Sequence, residues 1–268
     1  MKEINFDGLF SLNNRNILIT GAMGYLGKEI FLALSQFGGN FILTDLDISA
    51  DEEFLQEIQD KAECKFFPCD LEKENDRKKL LNKIAESHDS IDVLINNAAF
   101  VGTSSIEGWA VDFHDQSTDA WRRAIEVNLT APFEIIQFLS KAKMLGEGSS
   151  IINIGSIYSF KAPKYYLYKS TEIKNPAAYA ASKGGLLQLT RWLSTTLAPN
   201  TRVNSISLGG VFRNQNPQFI ERYIKKTPLQ RMARETDIDG LIIFLATNMS
   251  RYITGQNFVI DGGWSLVN

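Results

Sequence analysis

Tyrosine and lysine stand four residues apart in Tyr179-Ala180-Ala181-Ser182-Lys183, at the start of a helical pattern. That spacing puts both side chains on one helix face. A free phenol, with a pKa of about 10, is a poor base at neutral pH. An ammonium about 4 Å away, at an effective dielectric near 20, favours the phenolate by roughly 4 kcal/mol. Burial opposes that gain, and the balance predicts a phenol pKa lowered by a few pH units. Tyr179 would then be poised for general acid–base work. Taken alone, the pair would equally suit an exposed helix face.

A second constellation supplies the partner for such chemistry. The turn Thr20-Gly21-Ala22-Met23-Gly24-Tyr25-Leu26-Gly27 lies between a strand pattern and a helix pattern. Gly21 suits the tight turn, Gly24 lets backbone approach a pyrophosphate, and Gly27 allows helix and strand to pack closely. The pyrophosphate would meet the N–H donors and partial positive charge of the helix N-terminus. Asp45 ends the next strand pattern, 24 residues after Gly21. A carboxylate there accepts from ribose hydroxyls and repels a 2′-phosphate, and Asp47 adds negative charge. NAD is therefore expected rather than NADP. Asp70, after the third strand pattern, could accept from an adenine amino group or simply cap a turn.

The elements that must position these residues alternate. Asn16–Thr20, Asn40–Thr44, Cys64–Pro68, Ile91–Ile95, Ser150–Ile154, Thr201–Ser207 and Asn257–Ile260 are short, apolar and β-rich. Runs of that kind suit strands covered on both faces. Between them, helical patterns fall near 25–37, 51–61, 74–87, 119–145, 177–197 and 236–246. The alternation predicts a Rossmann-type, doubly wound parallel sheet in a single α/β domain spanning 1–268. Two long loops, 99–117 and 159–176, follow strand C-terminal ends, where open α/β sheets bind ligands.

Composition narrows the function further. Hydrophobic residues make up 44% and charged residues 22%, ordinary for a globular protein, and the net charge is -3. That balance argues against nucleic acid or an anionic membrane as the main partner. Two cysteines do not make a disulfide framework, there is no signal-like or spanning apolar run, and a reducing cytoplasm is expected. Cys64, Cys69, His88 and His114 have no zinc spacing, so no metal is expected. Trp109, Trp121, Trp192 and Trp264 are expected in the core or at an interface.

The glycine turn, Asn96-Asn97-Ala98-Ala99, Asn128 in Glu126-Val127-Asn128-Leu129-Thr130, Ser156 after a strand, the Tyr179–Lys183 motif and Ile260-Asp261-Gly262-Gly263 together resemble the short-chain dehydrogenase/reductase family over about 14–265. The resemblance implies that Ser156 hydrogen-bonds the reacting oxygen, Tyr179 exchanges its proton, and Lys183 binds the nicotinamide ribose and tunes Tyr179. It further implies that Asn128 holds a water in a proton relay. Asn96, Asn97 and Ala98 would line the cofactor cleft, with Gly21, Met23, Gly24, Tyr25, Leu26, Asp45, Asp70, Leu71 and Gly209, and Val211 would contact the carboxamide. A homo-oligomer, dimer or tetramer, is also implied.

Four features depart from the family's usual pattern. Tyr25 stands where the short branch usually has glycine, Leu208 where proline is usual, and Arg213 where a cofactor-contacting threonine is usual. Ser156 and Tyr179 are 23 residues apart, a longer gap than usual, which implies an insertion over the active site around 159–176. That insertion, with the 209–223 segment and Val259-Ile260-Asp261-Gly262-Gly263-Trp264-Ser265, resembles a narrower group, the flagellin modification protein A type of oxidoreductase. The narrower resemblance implies a sugar-derived substrate of the nonulosonic-acid kind. The expected function is hydride transfer between NAD(H) and a secondary alcohol or ketone of a phosphorylated or nucleotide-linked sugar. Arg213, with the lysines at 161, 164, 169, 225 and 226, would hold the anion, or the lysines simply keep an exposed loop soluble. Tyr165, Tyr166 and Tyr168 would line the pocket or pack the insertion against the body. The rivals are a 3-oxoacyl-thioester reductase and a non-catalytic nucleotide-sensing protein.

Overall fold

Each strand alternates its side chains between two apolar layers. In the computed structural model, which describes residues 6–46, 52–101, 106–171 and 174–267, Ile17 and Ile19 enter one buried cluster and Leu18 the other. Val93 and Ile95 oppose Leu94 in the same way, as Ile152 and Ile154 oppose Ile151. Burial on both faces explains why these runs are apolar throughout.

The strands are β1 (Asn16–Thr20), β2 (Asn40–Asp45), β3 (Glu63–Pro68), β4 (Val93–Asn96), β5 (Ser149–Ser156), β6 (Thr201–Leu208) and β7 (Asn257–Ile260). They form one parallel sheet in the order β3-β2-β1-β4-β5-β6-β7. The order reverses between β1 and β4, which opens a crevice at their C-terminal ends. The helices are α1 (Phe6–Phe10), α2 (Tyr25–Ser35), α3 (Glu52–Lys61), α4 (Glu74–Ser87), α5 (Thr118–Ile125), α6 (Ala131–Lys141), α7 (Ala177–Thr196), α8 (Pro217–Lys226) and α9 (Asp239–Ala246). Apolar residues of α2, α3 and α9 cover one face of the sheet. Those of α4, α6 and α7 cover the other. The result is a single Rossmann-type domain. Among the described residues no helix is long and apolar enough to cross a membrane.

Two details differ from the sequence expectation. The single helix expected over 119–145 is α5 and α6 joined by a π-turn at Glu126–Thr130, a distortion often found at functional sites. α8 was not expected, although Asn216 caps Gln218 N–H and Pro217 occupies its first turn, which are helix-start signals. Asp47 lies outside the described residues. Of the tryptophans expected in the core or at an interface, Trp109 and Trp264 are in the core, and Trp121 and Trp192 are exposed on this chain.

Candidate active site

The crevice is a cleft of about 990 Å³ running along the strand ends from Asp45 and Asp70 to Tyr179 and Tyr223. Its cofactor end is built by the first βα turn. Gly21 has φ of +64°, and a Cβ there would come 2.7 Å from the backbone of Ala98. A Cβ at Gly27 would meet the Gly21 carbonyl at 2.1 Å. Only glycine fits either place, and the turn thereby presses α2 onto β1. Gly24 is the N-cap of α2 and supplies no side-chain cap, so the helix N-terminus presents its first-turn donors to the cleft. Asn97 Nδ2 donates to the carbonyls of Thr20 at 3.1 Å and Gly21 at 2.9 Å, which ties the end of β4 to the turn. Asp45 accepts from Met23 N–H at 2.8 Å and Leu46 N–H at 2.7 Å, which fixes its carboxylate at the cleft wall. This glycine cradle, the uncapped helix start and the fixed carboxylate suit a dinucleotide.

Gly21, Gly24, Tyr25, Leu26, Asp45, Asp70, Leu71, Asn97, Ala98, Gly209 and Val211 all line the cleft. Met23 reaches it through Asp45 alone. Asp70 lines the cleft and caps its turn, accepting from Glu72 N–H and pairing with Lys73 at 3.0 Å. Asn96 is not in the lining; its amide donates to Asn153 Oδ1 at 2.8 Å beneath the cleft.

At the other end, β5 delivers Ser156 and the first turn of α7 delivers Tyr179 and Lys183, all lining the same cleft. Burial raises the pKa of the Tyr179 phenol and outweighs the lowering by the neighbouring Ser156 hydroxyl, with the nearby Tyr168 phenol adding to the rise. The expected lowering by lysine is therefore not what this arrangement produces. Lys183 Nζ donates instead to the Ile154 carbonyl at 2.7 Å and sits 6.0 Å from the centre of the Tyr179 ring. Burial pulls that ammonium down to about 8. A buried, easily deprotonated lysine, a buried serine hydroxyl and a half-buried phenol at the cleft wall together form an arrangement suited to proton transfer.

Asn128 sits in the π-turn, fully buried and outside the lining. Its Oδ1 accepts from Phe100 N–H at 2.7 Å, and its Nδ2 donates to the Phe100 carbonyl at 3.2 Å and Ser182 Oγ at 3.0 Å. With the amide so committed, the side chain fastens the loop after β4 to α7.

The substrate-end expectations need correction. Tyr165 and Tyr166 are 76% and 51% exposed and lie outside the cleft. The 3-10 turn they belong to, Tyr165–Tyr168, sends Leu167 and Tyr168 inward instead. Arg213 lines the cleft but is not an open fork. It is ion-paired with Glu235, donates to its neighbour's Phe212 carbonyl at 2.7 Å and lies 4.7 Å from the centre of the Tyr25 ring. Lys225 pairs with Glu221 on the face of α8, and Lys164 donates to the Val267 carbonyl. Tyr158, Lys174, Asn175, Gln215, Phe219, Tyr223 and Met232, none singled out from the sequence, complete this end. Tyr158 follows Ser156 by two residues, and that proximity was the available clue.

The comparisons agree with this geometry. The family model described as enoyl-(acyl carrier protein) reductase matches residues 21–265. The post-translational flagellin modification protein A of Campylobacter coli is 28% identical, covering 95% of this chain and all of its own. A short-chain dehydrogenase from Leptospira borgpetersenii, solved with bound NAD+, superposes with a TM-score of 0.81 at 28% identity over 99% of this chain and 97% of its own. The Pseudomonas aeruginosa RhlG/NADP active-site complex gives 0.82 at 26% identity over 96% and 99%. The chain belongs to the short-chain dehydrogenase/reductase family.

Proposed function

We propose that this oxidoreductase transfers a hydride between NAD(H) and a secondary alcohol or ketone of a sugar derivative. The observation that carries the reading is the convergence of Ser156, Tyr179 and Lys183 on the wall of one cleft that continues to Asp45. When bound, the nicotinamide nucleotide supplies the hydride donor or acceptor. Tyr179 gives or takes the proton of the reacting oxygen, Ser156 hydrogen-bonds that oxygen, and Lys183 holds the cofactor ribose and passes the proton on. Asn128 acts as a positioning residue. Its spent amide leaves any water contact to its backbone carbonyl.

NAD is favoured over NADP because the Asp45 carboxylate stands where a 2′-phosphate would be repelled. The relatives point both ways, one structure holding NAD+ and another NADP. A sugar derivative is favoured by the polar groups of Tyr158, Tyr168, Asn175 and Gln215 at the substrate end, and by the likeness to flagellin modification protein A. A second reading, reduction of a 3-oxoacyl thioester, draws on the description of the matching family model and on the apolar Phe219 and Met232 in the same lining. The protein is expected to work in the cytoplasm as a homo-oligomer.

The test is a screen of phosphorylated, nucleotide-linked and free sugars with NAD+, read by NADH absorbance, beside a 3-oxoacyl thioester with NADH. Turnover of a sugar supports the proposal. Turnover of the thioester alone transfers the protein to the second reading, and NADH binding without turnover of any compound would favour a nucleotide sensor.

A further inference from the structure

The insertion between Ser156 and α7 brings a polar cluster into the cleft. Tyr158, two residues after Ser156, and Tyr168, from the insertion, have hydroxyl oxygens 2.6 Å apart. Leu167 and Tyr168 are buried; Tyr168 packs on Phe219 at 5.5 Å between ring centres. Arg222 of α8 donates to the carbonyl of Lys169 and so fastens the end of the turn. Burial raises the pKa of the Tyr168 phenol, and the neighbouring Tyr158 hydroxyl and Asn175 amide lower it. Tyr158, Tyr168 and Asn175 all line the cleft that holds Ser156 and Tyr179.

Counting protons shows what this cluster lacks. Two phenols carry two O–H protons, and the bond between them uses one. Either phenol can donate that bond, and in both cases the proton of the other has no acceptor among the described residues. Among the described residues, Asn175 Oδ1 is also buried without a partner. Buried polar groups are nearly always paired, so a donor and an acceptor left over side by side ask for a ligand. A hydroxyl group satisfies both at once, since it accepts and donates. A ketone, ether or halide can only accept, and an ammonium can only donate.

We propose that Tyr168 and Asn175 are specificity-determining residues that take a second hydroxyl of the substrate, so that diols and polyols are preferred over simple secondary alcohols. This rests on the reading of the site as an alcohol/ketone oxidoreductase and deepens it. A site built to bond a hydroxyl discriminates strongly against the analogue that lacks one, because its own polar groups are then stranded.

The experiment measures kcat and KM with NAD+ for cyclohexane-1,2-diol, cyclohexane-1,3-diol and cyclohexanol, in wild type, Tyr168→Phe and Asn175→Ala. NADH binding by fluorescence verifies that each variant is folded. The expected result is a kcat/KM for at least one diol about tenfold or more above that for cyclohexanol in wild type, as for a lost hydrogen bond at a site left unpaired. In each variant that ratio falls toward one, mainly through the KM of the diol. A ratio near one in wild type, or one preserved in both variants, overturns the specificity proposal while leaving the oxidoreductase reading standing. Failure of wild type to oxidise any of the three probes also overturns the specificity proposal, and the sugar screen alone then decides the oxidoreductase reading.

Discussion

Burying Lys183 in the cleft carries a measurable cost. The residue is 2% exposed, and burial takes its ammonium pKa from 10.5 to about 8. At about 1.4 kcal/mol per pH unit, keeping that group charged in the fold costs about 3 kcal/mol at pH 7. Lys183→Met keeps a chain of similar length and removes the charge. It also strands the Ile154 carbonyl, which accepts from Lys183 Nζ at 2.7 Å, at a cost of roughly 1–2 kcal/mol. The variant without cofactor should therefore be more stable than wild type by about 1–2 kcal/mol at pH 7 while losing turnover, a trade of stability against function. The sign with pH follows from linkage. Between pH 8 and 10.5 the unfolded lysine binds a proton that the folded one has released, so wild-type stability rises through that window. Urea unfolding of both proteins at pH 7, 8, 9 and 10 should show the variant's advantage shrinking across the series. A variant less stable than wild type at pH 7, or an advantage that does not change with pH, would refute the argument that Lys183 is held charged at a burial cost.

Four other outcomes are expected. Tyr179→Phe should leave NADH binding nearly intact and lower turnover by roughly 10²–10⁴-fold, the span for a general acid–base group; near-normal turnover removes Tyr179 from the chemistry. Asp45→Ala should narrow a wild-type preference for NAD over NADP, and steady-state kinetics that show NADP preferred in wild type end that reading. Arg213→Ala releases Glu235 and uncovers Tyr25, so NADH should dissociate faster in stopped flow by roughly threefold, as for one partly exposed ion pair, with little change in substrate KM; a rise in KM for phosphorylated sugars alone would restore the anion-binding role. Light scattering should give a tetramer of two-fold symmetry, with exposed Trp121 and Trp192 on α5 and α7 as candidate contacts; a monomer at micromolar concentration contradicts it.

The sequence by itself determined the sheet and one half of the site. Apolar runs buried on both faces must be strands of a covered sheet, and Gly21 and Gly27 are required wherever a Cβ would strike Ala98 or the Gly21 carbonyl. Tyr179 and Lys183 meet because helix spacing is fixed, and Asp45 meets the turn because β1 and β2 are neighbours in register. Only the tertiary structure decided the rest. Whether Lys183 or burial governs the Tyr179 phenol depends on distances and desolvation that spacing does not contain, and burial proved the larger influence. Arg213 looked like a free cation until the fold brought Glu235 and Tyr25 to it from 22 residues downstream and from the opposite wall of the cleft. Of four insertion-side tyrosines, Tyr158, Tyr165, Tyr166 and Tyr168, residue type could not tell which enter the cleft. That choice was made by packing of the insertion against α8 and Trp264, a long-range contact that leaves no periodic trace in the chain.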